Sequence, residues 1–284
     1  MRCRGFDFWY GLPLSHDYGC TDHQVANVTY GDGWEYNSDG TGTSCLPCPQ
    51  SGPPPPQAPP SPPKSCNIGA DNSWHIAPPL FENERILEQP VDERYLSPKY
   101  AQAAIDFIHN RAPLSADARL PQASDPSAPW FLYMAWSHMH TPQHHSDDWN
   151  GKSSRPGNHY GDTLAQLDDS VGQVITAVDE AGLGNDTIIF LTGDNGRPDG
   201  SCDSLLYPNG FTGSNGPFLG SWLKKTGGGN TGKASTWEGG HREVGVFRWL
   251  GHISAGVSDV LGSTLDIVPT MTALAGAGDL SYRV

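Results

Sequence analysis

Apolar residues along the chain gather in a few dense runs, and the densest is TIIFLTGDNG, Thr187 to Gly196. Ile188, Ile189, Phe190 and Leu191 follow one another without polar alternation, which is how a strand buried on both faces of a parallel sheet reads. The run breaks off at Asp194, Asn195 and Gly196. Just upstream, Tyr160 to Glu180 sets Leu164, Leu167, Val171, Val174, Ile175 and Val178 at spacings of three and four, the signature of an amphipathic helix. An earlier helix is expected from Ser97-Pro98 onward, with Pro in the first turn and Ala101, Ala104, Ile105 and Ile108 on one face. Trp130 to Trp136 (WFLYMAW) and Val244 to Leu250 (VGVFRWL) are further strand candidates, the first of them buried. Leu265 to Ala275 reads as a helix with Pro269 near its start. Helices alternating with strands predict an α/β domain, with a mostly parallel central sheet and helices on both faces.

Residues 21–95 show no convincing period. Their middle, CPQSGPPPPQAPPSPPKSC between Cys48 and Cys66, is rich in proline and should be extended and semi-rigid. It reads as a surface insertion held by cysteines, or as a docking site for a proline-binding module. This region carries many of the chain's 25 prolines, so the low hydrophobic content of 36% is a local effect. The 284 residues are enough for one large domain or two small ones, with a Cys/Pro-rich insertion at about 21–95.

Charge and cysteines narrow the setting. A formal net charge of −14 argues against nucleic acid or an anionic membrane as the main partner. No apolar run approaches the roughly 18 residues of a membrane span, and the opening MRCRGFDFWY lacks the apolar core of a signal peptide. Four of the six cysteines (Cys3, Cys20, Cys45, Cys48, Cys66 and Cys202) lie in the glycine- and proline-rich region, which suits disulfides. The sequons at Asn27 and Asn185 also suggest a secretory, periplasmic or lysosome-type route.

Three stretches carry candidate chemistry. Asp194 and Asn195 stand at the carboxyl end of the buried strand, where open α/β sheets place their ligands, and offer oxygen to a hard cation. Gly196 is expected to let the backbone turn away sharply. Turn chemistry alone would also explain the three residues. His138, His140, His144 and His145 follow WFLYMAW; they could hold zinc, or one could act while the rest are structural. Lys233, among glycines in GKASTWEGGHRE, could reach a bound anion or lie solvated, and the spacing of a phosphate-binding P-loop is absent. EYNSDG, beginning at Glu35, fails as a calcium loop because Leu46 holds its twelfth position. The adjacent Asp168 and Asp169 point in different directions on their helix and read as surface or packing residues.

Taken in order, SHD near the start, FLYMAWSHMHTPQ, GDTLAQLDDSVGQV, IIFLTGDNG, GKASTWEGGHRE and LGSTLDIVPTMTALAG resemble a type I sulfatase of the arylsulfatase A and galactosamine-6-sulfatase branch. The resemblance covers residues 1–20 and roughly 97–280. It implies an alkaline-phosphatase-like α/β fold and hydrolysis of sulfate esters by a formylglycine nucleophile beside calcium. By matching motif, Asp194 and Asn195 are implied calcium ligands. His140 is implied to assist the leaving group, Lys233 to hold a sulfate oxygen, and Ser15 to line the sulfate pocket. The implied partner is a sulfated small molecule or sulfated glycan.

Several family features are not found. No Cys-x-Pro-x-Arg occurs; Cys45-Leu-Pro-Cys-Pro49 imitates its start but lacks the arginine and follows SHD, whereas the family's cysteine precedes it. The aspartate pair that completes the calcium site, the Lys-Trp-His-x-Gly segment and the small carboxy-terminal subdomain are also unmatched. The fold is thus expected to be incomplete at both ends, and the chain alone to be without turnover. Two other readings stay open: a non-catalytic secreted glycoprotein that binds a sulfated ligand or partner, and a phosphoester hydrolase with zinc at the histidines.

Overall fold

The computed structural model describes residues 6–13, 78–89, 91–111, 128–140, 143–154, 159–197, 213–218 and 231–276. The cysteines, the proline-rich tract, Ser15, Asn27 and the Glu35 loop lie outside these residues.

Strand β1 (Tyr10–Gly11) pairs antiparallel with β2 (Leu80–Glu82), and β2 with β3 (Arg85–Glu88). The end of the region without evident period thus forms a hairpin. Asn83, at φ +54°, makes its tight turn, a conformation that Asn tolerates better than most residues. Its backbone N–H donates to the Trp9 carbonyl, and its side-chain Oδ1 accepts from the Trp9 N–H. A short 3-10 turn, Glu93–Tyr95, follows, capped by the Asp92 side chain on the Arg94 N–H.

Helix α1 (Leu96–Arg111) packs along α2 (His159–Glu180). Its predicted face is the buried one: Ala101, Ala104 and Ile108 are all under 5% exposed. Two apolar clusters form at its two ends. Leu80, Val91 and Leu96 gather near its start with Tyr10 and Tyr100 against them. Ile108, Ala177 and Val178 gather at its far end with Phe107, Trp130, Val174 and Ile189. Burying each large aliphatic side chain contributes about 1.5–3 kcal/mol.

Between the clusters the face of α2 departs from the sequence expectation. Leu164, assigned to the apolar face, is exposed, while Asp162, Thr163, Gln166 and Ser170 are buried. Each buried polar group is bonded, as burial requires. The Asp162 carboxylate accepts from the Gly151 and Ser153 N–H groups at 2.8 Å. Gln166 donates to the Arg94 carbonyl and accepts from the Ser146 N–H, both at 2.8 Å. Thr163 donates to the His159 carbonyl, and Ser170 to that of Gln166.

A Schellman motif ends α2: Leu183 N–H donates to Val178 O at 3.0 Å and Gly182 N–H to Asp179 O at 2.9 Å, with Gly182 at φ +73°. The chain then enters β4 (Ile189–Thr192), which pairs antiparallel with β5 (Gly245–Arg248); the Phe190 and Phe247 rings stack at 4.4 Å. Arg248 and Asp179 tie β5 to α2 at 2.7 and 2.9 Å. A short helix α3 (Glu238–His241) precedes β5. A capped 3-10 turn, Thr264–Asp266, leads into α4 (Ile267–Leu274), which holds Pro269 in its first turn as expected.

Two strand expectations are corrected. Strand β4 is half-buried, with Leu191 at 39% exposure, instead of closed on both faces, and the pair it forms with β5 among the described residues is antiparallel. Trp130 to Trp136 is not in a ladder and its residues alternate between exposed and half-buried. Among the described residues β4 has β5 as its one neighbour, which leaves its other edge and part of its faces open.

Candidate active site

Strand β4 delivers Asp194 and Asn195 into a loop held from two sides. The exposed Asp194 carboxylate accepts from the Asn195 backbone N–H at 2.9 Å and from its carboxamide at 2.6 Å. Glu243 reaches the same place: a Cβ on Gly193 would fall 2.1 Å from Glu243 Oε2. Partial burial and the Asp194 charge hold the Glu243 carboxyl above the usual range. In the sequence Glu243 is only the last residue of a motif; its nearness to Asp194 is a tertiary fact.

Gly196 acts differently from expectation. It does not stand at positive φ. Its N–H donates to Gly240 O at 3.2 Å, and a Cβ there would lie 1.9 Å from Gly239 O, so close approach of two backbones requires the glycine. Next along, Arg197 is clasped by Asn215: its N–H donates to Asn215 Oδ1 at 2.9 Å, and Asn215 Nδ2 donates to its carbonyl at 3.0 Å. The half-buried Lys233 joins at that carbonyl, donating its backbone N–H to Arg197 O at 2.9 Å. The main chain of Lys233 thus lies against that of Arg197, at the end of the loop that begins with Asp194. Ala234 follows at φ +67°, a left-handed position unusual for alanine.

The histidines divide. His140 is exposed, and its N–H donates to Ser137 O. His138, His144 and His145 are buried and bonded within the protein. His138 Nδ1 meets Ser97 Oγ at 3.0 Å, His144 Nε2 lies 3.2 Å from Glu93 Oε2, and His145 Nδ1 meets Ser146 O at 3.0 Å. The His159 ring packs tilted against that of His145, with centroids 4.4 Å apart and planes inclined by 50°, and it bonds the Gln143 carbonyl. Burial first, and then the His145 charge, push the His159 ring down to about 4. Among the described residues no group of three or more His, Cys, Asp or Glu is arranged to hold a metal ion, so the zinc set read from the spacing is not assembled. The buried rings instead pin the loop on either side of His140.

For calcium the chemistry fits in part. Asp194, Asn195 and the nearby Glu243 offer the oxygen donors that calcium prefers, and two neighbouring carboxylates favour a cation between them. The 6–8 ligands of a complete calcium site are not gathered among the described residues. Asn185 is exposed on the turn after α2, with its carbonyl bonded by the Trp249 indole at 2.8 Å. Asp168 and Asp169 are exposed, as expected of helix-surface residues. No helix among the described residues is long and apolar enough to cross a membrane.

Comparison with known proteins follows the same residues. The family pattern described as Sulfatase matches residues 9–277. Arylsulfatase G of Canis lupus familiaris is 37% identical over 276 residues, covering 96% of this chain and 43% of that protein. N-acetylgalactosamine-6-sulfatase of Mus musculus is 35% identical over 219 residues, covering 77% and 36%. The chain thus spans less than half the length of these relatives. Among solved structures it is similar to Ps i-CgsB in complex with k-i-k-neocarrahexaose, at 22% identity and a TM-score of 0.57, over 98% of this chain and 47% of that one. That likeness concerns the fold, which is the alkaline-phosphatase-like α/β fold of the family. With its candidate residues inside the matched span, the chain belongs to the sulfatase family.

Proposed function

We propose that this chain carries part of the active site of an arylsulfatase-like sulfuric ester hydrolase acting on a sulfated small molecule or glycan. The observation that supports this most is the main-chain bond from Lys233 N–H to Arg197 O, in the loop that begins with Asp194 and Asn195. Within this reading Asp194 and Asn195 hold calcium, with Glu243 adding to the negative potential. When bound, calcium supplies positive charge that draws electron density from sulfate oxygens. Lys233 neutralises a further sulfate oxygen, and its contribution grows as charge accumulates during bond breaking. His140 hydrogen-bonds the bridging oxygen and delivers a proton to the departing alcohol. Ser15, which lies outside the described residues, is assigned to the sulfate pocket by its motif alone. The family's formylglycine nucleophile has no Cys-x-Pro-x-Arg counterpart in these 284 residues, and attack on sulfur is assigned to none of them.

A titration with inorganic sulfate in the presence of calcium tests the proposal. The native chain is expected to bind sulfate, and Lys233→Ala to lose at least tenfold in affinity. Unchanged affinity in the variant, or none in the native chain, would overturn the assignment of Lys233. The purified chain alone is expected to leave an aryl sulfate intact. The sequence leaves open a second reading, a non-catalytic secreted glycoprotein that binds a sulfated ligand or partner. The full natural protein separates the two, since turnover supports the hydrolase and binding without turnover the alternative. The cysteines and the exposed Asn185 sequon, with Asn27, support a secreted or lysosome-type route. A mobility shift on glycosidase treatment of the native protein would test that.

A further inference from the structure

Three loops converge on one carbonyl oxygen. Arg197 O accepts from Asn215 Nδ2 at 3.0 Å and from Lys233 N–H at 2.9 Å, while Arg197 N–H donates to Asn215 Oδ1 at 2.9 Å. The carboxamide of Asn215 thereby imitates the edge of a β-strand: its donor and its acceptor both meet the main chain of a single residue. We propose that Asn215 is a positioning residue, which sets the distance between the Asp194–Asn195 carboxylate loop and Lys233 and so fixes the geometry of the anion pocket. This rests on the proposed sulfate site.

The surroundings leave the side chain little freedom. A Cβ on Gly196 would lie 3.1 Å from Asn215 Oδ1, and one on Gly239 would lie 3.4 Å from Asn215 Nδ2. Asn215 is thus wedged between the glycine of the strand-end loop and the first glycine of α3. Arg197 Nη1 also donates to Gly213 O at 3.3 Å, so the 213–218 segment grips Arg197 by main chain and side chain together. Phe218, at the other end of that segment, lies under the Arg242 guanidinium at 4.9 Å. With the clasp opened, Lys233 N–H would retain its acceptor but the carbonyl would lose the partner that orients it. The lysine and the carboxylate loop would then separate by rotation about Arg197. The residue acts through Arg197, to which both ends of its carboxamide are bonded.

The test is a set of inorganic sulfate titrations in calcium, each paired with a thermal melt. Asn215→Ala is expected to weaken sulfate at least tenfold with a melting temperature within a few degrees of the native one. Asn215→Gln keeps the same chemistry but is a methylene too long to close both bonds, and should weaken sulfate to a similar extent. It also serves if the alanine variant fails to fold. Lys233→Ala separates the two levels. If it binds sulfate as the native chain does, the underlying site assignment has failed. If it loses sulfate while both Asn215 variants bind normally, the positioning role is wrong and the site stands.

Discussion

Ala234 stands at φ +67° immediately after Lys233, so the lysine loop contains a backbone conformation that costs an L-residue about 1–2 kcal/mol. Ala234→Gly removes that cost but returns roughly 0.4–1 kcal/mol through the greater freedom of the unfolded chain. The expected net gain is about 0.5–1 kcal/mol, read as a rise in melting temperature. A lower melting temperature would show that the strain is relieved elsewhere. His159 gives a second expectation. Its ring is held neutral down to about pH 4, against 6.5 for a free histidine. The unfolded chain therefore binds a proton before the folded one does. The contribution is complete above pH 6.5, falls as pH drops towards 4, and then stays flat. The loss is on the order of 3 kcal/mol at most. His159→Gln should flatten that part of the stability–pH curve; an unchanged slope would remove His159 as its source. Sequence spacing could name the lysine, the carboxylate, the carboxamide and the histidines, because motif order is local information. Asn215 and Glu243 were beyond its reach as site residues, since their roles arise only where distant loops meet.

Helix α2 carries the next scale. Its Schellman end depends on Gly182 at φ +73°, the position from which β4 is aimed at the site. Gly182→Ala should cost about 1–2 kcal/mol in denaturant unfolding. A loss under a few tenths would mean that the β4–β5 pairing alone fixes the turn. The extent of α2 was legible from Leu167, Val171, Val174 and Val178, and α1 from its small apolar face. The buried polar half of α2 was not. The apolar spacing leaves Asp162, Gln166 and Ser170 unmarked; the loops of Gly151, Ser153 and Ser146 bond the first two, and Ser170 donates to the Gln166 carbonyl within the helix. β5 was legible as a strand, but direction of pairing was not, because apolar runs specify burial and leave the choice of neighbour to the fold. The β2–β3 hairpin had a signal in Asn83-Glu84 between LFE and RILE, which the surrounding turn-rich sequence obscured.

For the whole molecule, apolar side chains remain open along β5 and the segment leading to α4. Val246 is 54% exposed, Val257 99%, Leu261 96% and Leu265 83%. Ordinary monomers rarely leave so much apolar chain in water. The purified chain should therefore enhance the fluorescence of a hydrophobic dye and sediment as more than a monomer, despite its charge of −14. A dark, monodisperse monomer would mean that this strip is covered within the chain itself. A different consequence attaches to the glycines where the loops touch. Gly196 and Gly240 have no room for a methyl group: the nearest carbonyl oxygens would stand 1.9 and 2.5 Å from it. In a saturation scan of the full natural protein, both positions should reject every replacement as severely as the residues that handle the sulfate. A ranking by tolerance alone would then count spacers among the chemists.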